Sequence, residues 1–226
     1  MHLRSLLSLV VAFATVALSG AEDRRKELVT EVDSCWAILQ EFQASPKTAI
    51  PAAILKQAKA LVIVNEFQGG FIFGIKGGYG VVLVRQPNGR WSVPGFLDAG
   101  EASLGLQLGA KSVCTIYVVM DDAGARLLYR PRFNFGVDAV AVAGPLAARK
   151  QETTAIIKAS ILAYQKNAGL YASAKFKSGW LSADNSKNRF FYSTERTMPE
   201  ILFSDWITQP AEVKDFVGYV QQLAGE

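Results

Sequence analysis

Between Gly69 and Arg85 the chain reads GGFIFGIKGGYGVVLVR, six glycines set among aromatic and β-branched residues. Bulky residues of that kind favour a strand. Glycine inside a strand weakens it unless the backbone bends there or another backbone comes close. A phosphate cradle is the rival use of such glycines, and it needs a helix N-terminus directly after them to point N–H groups at the anion. The residues after Gly80 are Val81, Val82, Leu83 and Val84, three of them β-branched, and the stretch lacks the spacing G-x-G-x-x-G. A strand follows the glycines, so a nucleotide cradle is set aside. Glycines recur at Gly100, Gly105, Gly109, Gly136, Gly144, Gly169 and Gly179, which points to a tightly curved sheet kinked where backbones crowd. The opening stretch is then strand, turn, strand, with its turn expected near Lys76 to Gly78.

The flanking sequence supports that sheet. From Leu61 to Met120 the segments LVIV, GFIFGIKG, GYGVVLVR, WSVPGFLDA, SLGLQLGA and SVCTIYVVM read as short antiparallel strands, with a hairpin turn at Asn88-Gly89. Ahead of them Leu28, Val32, Cys35, Trp36, Leu39 and Phe42 recur at helical spacing, ending at Ser45-Pro46. A short helix from Pro51 to Lys59 follows, with Thr48 as its expected cap. Beyond Met120, DDAGARLLYR reads as a brief capped helix and RFNFGVDAVAVAG as β structure, while PLAARKQETTAIIKAS fits either. A hairpin is expected over residues 161–184, turning near Asn167 to Gly169. TMPEILF and PAEVKDFVGYVQQLA are helical, the second with Val213, Phe216, Val217, Val220 and Leu223 on one stripe. The expected fold class is α+β: a curved, glycine-rich antiparallel β-sheet, barrel-like if it curls far enough, braced by N- and C-terminal helices. No low-complexity linker divides the chain, and about 200 residues suit one core. Residues 22–226 are therefore expected to form a single domain.

Residues 1–21 have a different character. His2 and Arg4 precede the apolar run LLSLVVAFATVAL and the small residues SGA, the order of a secretory signal. Ser19 and Ala21 suit cleavage before Glu22, and Ala17 with Ser19 suits cleavage before Gly20. The run is shorter than the roughly 20 residues that span a bilayer, which speaks against a retained anchor. A lipoprotein signal would carry cysteine where Ala21 stands, so no lipidation is expected there. The chain is thus expected to be exported to a periplasm or the extracellular space.

Export would restrict the available chemistry. His2 is the only histidine, so its removal leaves no Ser–His–Asp triad, Cys–His dyad or histidine-bound zinc. Ser92 and Ser103 have no histidine to activate them. Asp98 with Glu101 and Asp121 with Asp122 are the available carboxyl pairs, and these read better as turn and cap residues. No Asp-rich loop has calcium spacing. No enzyme, cofactor or metal is expected. Cys35 and Cys114 either pair in an oxidising compartment or stay free and buried in their apolar surroundings. The formal charge is +4, too small an excess to argue nucleic-acid binding. An outer-membrane barrel needs strands of about 9–11 residues, whereas several segments here are shorter and helices occupy both ends.

IPAAILKQAKALVIV before the glycine stretch, WSVPGFLDAGEASLGLQLGA after it, then FNFGVDAVAVAGP and AYQKNAGLYASAKFKSGWLSADNSKNRFFY, resemble the SYLF domain family in order and spacing. The match covers nearly all of residues 22–226. The resemblance implies a lipid-binding module, directed to phosphoinositides in eukaryotic members, some of which also bind actin filaments; many bacterial members are exported. With no SH3 or FYVE segment in this sequence, actin is not expected as a partner. The expected activity is non-enzymatic binding to an anionic phospholipid or membrane surface. Its candidate residues are Arg24, Arg25 and Lys26 on the first helix, Lys56 and Lys59 on the second, and Trp36 as an interfacial ring. The alternative is an envelope protein-interaction module, which salt would distinguish, since lipid binding through cations weakens as ionic strength rises.

Overall fold

LVIV and VVLV are apolar at every position, and a strand of that kind must be covered on both faces. The computed structural model, described over residues 2–46, 48–69, 73–104, 111–134, 139–142, 159–165 and 180–225, covers them with helices on either side. Eight strands form one sheet: β1 (Ala60–Gly69), β2 (Phe73–Val84), β3 (Gly95–Leu104), β4 (Lys111–Val119), β5 (Arg132–Phe133), β6 (Ala139–Val142), β7 (Ile161–Gln165) and β8 (Trp180–Ala183). Their order is β5-β8-β3-β2-β1-β4-β7-β6. Neighbours run antiparallel except β6, which lies parallel to β7. The sheet curls into an open half-barrel, with β5 and β6 at the two ends of the described order.

Period-two alternation divides the core. Leu61, Ile63, Val81, Leu83, Phe96, Ile116, Val118 and Leu162 point to one face. Helices α1 (His2–Gln43), α2 (Ala52–Gln57) and α6 (Ala211–Leu223) cover it, together with Phe191, whose ring lies 5.1 Å from that of Phe96. They bring Leu28, Val32, Leu39, Phe42, Leu55, Val213, Phe216 and Val220 against it. The intervening residues Val62, Val64, Val82, Val84, Leu97 and Val119 point to the other face. There Leu128 of a 3-10 turn (Leu127–Tyr129) and Met198 and Leu202 of α5 (Met198–Phe203) close the core. The α+β class and the terminal helices are as the sequence predicts.

The turn in the glycine stretch is not. Lys76, Gly77 and Gly78 lie inside β2, opposite Gln68, Phe67 and Glu66, so Phe73–Val84 is one unbroken strand with no turn at those residues. Gly78 and Gly80 answer to the neighbouring strand. A Cβ at Gly78 would stand 2.8 Å from the Cα of Glu66 and closer still to the Asn65 carbonyl oxygen; one at Gly80 would stand 2.5 Å from the Ile63 carbonyl oxygen. WSVP is likewise outside the sheet proper: Trp91 makes only a bridge to Arg85, closing the expected turn, where Gly89 has φ 85° and the Gly89 amide donates to the Gln86 carbonyl.

Thr48 does not cap α2. Its hydroxyl donates to the Phe42 carbonyl at 2.8 Å and so closes the end of α1, while α2 starts after Pro51 without a side-chain cap. The expected brief helix is α3 (Asp122–Arg126), capped by Asp121, whose carboxylate accepts from the Gly124 amide at 2.8 Å and the Ser160 hydroxyl at 2.6 Å. The expected turn at 167–169 and the undecided segment 145–158 lie outside the described residues. The ends of that supposed hairpin separate: β7 pairs with β4 and β6, and β8 with β3 and β5. Cys35 and Cys114 are free thiols, Cys35 buried with its Sγ 3.8 Å from the Ile63 carbonyl oxygen.

One helix was not anticipated. Helix α4 (Asn185–Tyr192) is mostly polar, and two residues seat it: Phe191, and Asn188. The fully buried Asn188 amide accepts from Phe96 N–H at 2.9 Å and donates to the Phe96 and Asp184 carbonyls at 3.0 and 2.8 Å.

Candidate functional site

The turn of α1 just before Leu28 carries Arg24, Arg25 and Lys26, and α4 lies beside it. Arg24 donates to the Ser186 hydroxyl at 2.9 Å and its guanidinium carbon sits 4.5 Å from the centre of the Phe190 ring. Arg25 stacks over Phe191 at 4.7 Å, donates to the Phe191 carbonyl at 3.1 Å, and pairs with Glu212 at 2.8 Å. Glu212 opens α6; its own backbone amide, and then Arg25, hold its carboxyl below the usual carboxylate range. Lys26 pairs with Glu22 one turn back at 2.7 Å, both fully in solvent.

The other candidates are elsewhere. Lys56, in the last turn of α2, runs its stem alongside Gly225, just past the C-terminal end of α6. Arg25 is at the opposite end of that helix, and its thirteen residues put roughly 20 Å between the two. Lys59 faces Asp122 of α3 at 3.8 Å. Trp36 is half-buried between α1 and α6, its ring 6.4 Å from those of both Phe216 and Tyr219, with its indole N–H buried and unpartnered. The five cations therefore form two groups, and Trp36 belongs to the packing between helices.

Arg24 and Arg25 gain a neighbour that sequence reasoning missed. Arg189, Phe190, Ser193, Thr194 and Glu195 line an open depression of about 410 Å³ at the end of α4. Its floor is set by Ser193, which takes the left-handed conformation at φ 48° and lets the Thr194 amide return to the Arg189 carbonyl at 3.1 Å. Arg24 covers Phe190, a lining residue, and Arg189 lines the same depression. Glu195 touches Arg189 only at 4.0 Å and is almost fully exposed. Guanidinium forks suit the paired oxygens of phosphate or carboxylate, and such a rim can take an anionic headgroup. The only hint in the sequence is KNRFFYSTER, a run of cations and aromatics ending in small polar residues.

Among the carboxyl pairs, Asp121 is occupied as a helix cap and Asp98 faces Lys187 at 3.5 Å. Ser92 is buried and donates to the Val93 carbonyl. Among the described residues no three His, Cys, Asp or Glu side chains are arranged to hold a metal ion, and no helix is long and apolar enough to cross a membrane.

The profile of a family described as "Ysc84: Las17-binding protein actin regulator" matches residues 100–223. The "SH3 domain-containing YSC84-like protein 1" of Bos taurus is 30% identical over 195 residues, which are 83% of this chain and 57% of that protein. Its Homo sapiens counterpart is 28% identical over the same shares. "Protein YSC84" of Saccharomyces cerevisiae is 28% identical over 158 residues, 68% of this chain and 34% of that protein. The chain thus spans little more than half the length of its vertebrate relatives. No solved structure matches it. The description of the family runs against the expectation that actin is no partner, and nothing in the comparisons supports that expectation. With more than half of its length under the profile, the chain belongs to the Ysc84 family, the SYLF-domain proteins that its glycine-rich sheet and flanking motifs resemble.

Proposed function

We propose that this chain is an exported, non-enzymatic protein that binds anionic phospholipid at a membrane surface, through Arg24 of α1 together with Arg189 and Phe190 of α4. One observation carries the reading: the Arg24 guanidinium lies over the Phe190 ring, and Phe190 and Arg189 both line an open depression. Each basic side chain near an anionic surface contributes about 1 kcal/mol, so the two arginines together amount to about 2 kcal/mol, or roughly thirtyfold in affinity. Arg25 contributes less, being held by Glu212. Export rests on the basic, apolar and small residues of positions 1–21, and N-terminal sequencing of secreted material should begin at Glu22 or Gly20. The non-enzymatic character rests on the lone histidine, His2, lying inside that segment.

Co-sedimentation with neutral and anionic liposomes across a salt series tests the lipid reading. Binding should be confined to anionic vesicles, fade with salt, and weaken about tenfold or more in Arg24→Ala/Arg189→Ala, while Lys56→Ala/Lys59→Ala binds like the parent. Equal loss in both double variants would move the site, and no binding to either vesicle would end the proposal. The family description favours a second reading, a protein-binding module of actin regulators. Pelleting with actin filaments and not with vesicles would select it.

A further inference from the structure

Between α1, β3 and α4 one ammonium group is surrounded by three carboxylates. Lys187 Nζ lies 2.9 and 3.1 Å from the two oxygens of Glu31, 3.5 Å from Asp98 and 3.7 Å from Asp184. The site is partly sheltered: the side chains of Glu31 and Asp184 are only 13% and 15% exposed, while that of Asp98 is 45% exposed. Each carboxylate comes from a different place, Glu31 from α1, Asp98 from β3 and Asp184 from the cap of α4. The remaining charges nearby do not restore the balance. Glu27, on the preceding turn of α1, adds a further negative field at Glu31, while Arg24 and Arg25 are turned to Ser186 and Glu212.

A single cation cannot neutralise three anions packed this closely, and carboxylates that share a site resist simultaneous ionisation. We propose that Lys187, Glu31, Asp98 and Asp184 form a proton-uptake clasp, in which a proton taken up on Asp98 as the surroundings acidify relieves the crowding and seats α1 more firmly on β3 and α4. The electrostatics of the individual groups agree with this arrangement. Burial, and then the charge of Asp184, raise Asp98; burial raises Glu31 despite its bond to Lys187. Burial acts against the Lys187 ammonium, yet its three partners outweigh that and hold it above the usual lysine range. The partners of the Glu31–Lys187 pair thus shift upward together, because Lys187 is outnumbered while each carboxylate has only a share of it.

The sign follows directly. A carboxyl raised on folding holds, in the folded state, a proton that the unfolded chain has released, so stability increases as pH falls through the raised value and the gain is complete below the ordinary value of about 4. One such proton increases the folded-to-unfolded ratio by at most about tenfold per pH unit inside that window. Arg24 stands two turns before Glu31 on the same helix, so the clasp also sets how firmly the lipid-facing cations are seated; that consequence rests on the lipid reading, and the clasp itself does not.

The test is lipid-free, so its failure leaves the lipid reading untouched. Urea midpoints of the purified full chain and of Asp98→Asn are compared from about pH 7.5 down to about pH 3.5, across the ordinary carboxyl value. The parent should gain stability relative to the variant as pH falls, with Asp98→Asn equal to or above the parent at pH 7.5. A constant deficit of Asp98→Asn at every pH would show an ordinary ion pair and overturn the proposal. A carboxyl-carbon NMR titration of the unmodified chain gives the second reading: an Asp98 midpoint at or below the usual aspartate value overturns it equally.

Discussion

Gly77 and Gly78 are adjacent, share one strand, and should respond oppositely to the same added methyl group. At Gly78 a Cβ would enter the backbone of β1, 2.8 Å from the Cα of Glu66, where ordinary contact begins at 3.4 Å. The strands must separate there by at least half an ångström, and no flexible side chain can give way. β2 is held on both sides, by β1 and β3, with Leu61–Val64 and Val81–Val84 buried a few residues away. Overpacking of this kind costs about 1–3 kcal/mol, partly offset by the 0.4–1 kcal/mol or so gained from stiffening the unfolded chain. Gly78→Ala should therefore destabilise by about 2 kcal/mol and lower Tm by roughly 4–8 °C for a chain of this size. At Gly77 nothing lies within 4 Å of an added Cβ and φ is not positive, so only the gain remains and Gly77→Ala should be neutral or slightly stabilising. Urea unfolding with an unchanged m value measures both. Equal effects at the two positions would refute the claim that these glycines exist for the approach of a neighbouring strand. Protection of the parent by added inorganic phosphate, lost in both variants, would reinstate the anion cradle.

Other substitutions probe separate joints of the fold. Asn188→Ala leaves the buried Phe96 N–H without its side-chain acceptor, while the Phe96 carbonyl keeps the Asp184 amide, and at about 1–3 kcal/mol for that one group it should lower the urea midpoint more than Ser186→Ala. Phe216→Ala, at a side chain 1% exposed, should cost about 3–5 kcal/mol, and a loss below 1 kcal/mol in thermal melts would contradict its place in the core. Asp121→Ala should cost about 1 kcal/mol at neutral pH. The Asp121 carboxyl is held below the usual aspartate range, because the Gly124 amide and Ser160 hydroxyl outweigh its partial burial. That stability is present above the ordinary value and lost as pH falls through the lowered one, so parent and variant should converge in strong acid. Burial pushes the Cys35 thiol far up, so alkylation at pH 8 should reach Cys35 only after unfolding.

What could be read in the sequence was whatever one-sided burial writes into a period. Leu28, Val32, Leu39 and Phe42 on α1, and Val213, Phe216 and Val220 on α6, are each buried as their spacing predicts. LVIV and VVLV announced strands covered on both faces, though periodicity could not say by what. The turn at Lys76 to Gly78 was misplaced because a glycine pair permits a turn as readily as it permits crowding, and only the path of β1 decides between them. Helix α4 was invisible for a related reason: Asn188, a polar residue by composition, is its most buried one, and the Phe96 backbone that satisfies it lies 92 positions away.

The same separation governed the site. Counting Arg24, Arg25, Lys26, Lys56 and Lys59 as one field assumed that cations near in sequence stay free and together. Glu212, 187 residues from Arg25, takes up one of them, Glu22 pairs with Lys26, and Asp122 stands near Lys59. Exposed pairs of this kind are worth little to stability, yet each places a negative charge where an anionic headgroup would have to come. Arg24 differs in kind, because its partners are a hydroxyl and an aromatic ring. Neither cancels its charge, and both hold the guanidinium in place beside Arg189. The capacity to bind an anion therefore depends less on how many cations the helix carries than on which of them folding leaves without a carboxylate, and Arg24→Ala alone should account for most of the loss seen when Arg24, Arg25 and Lys26 are replaced together in the liposome assay. If Arg25→Ala alone accounted for it, the ion pair with Glu212 would have to open on binding, and the headgroup would lie toward α6 instead of α4.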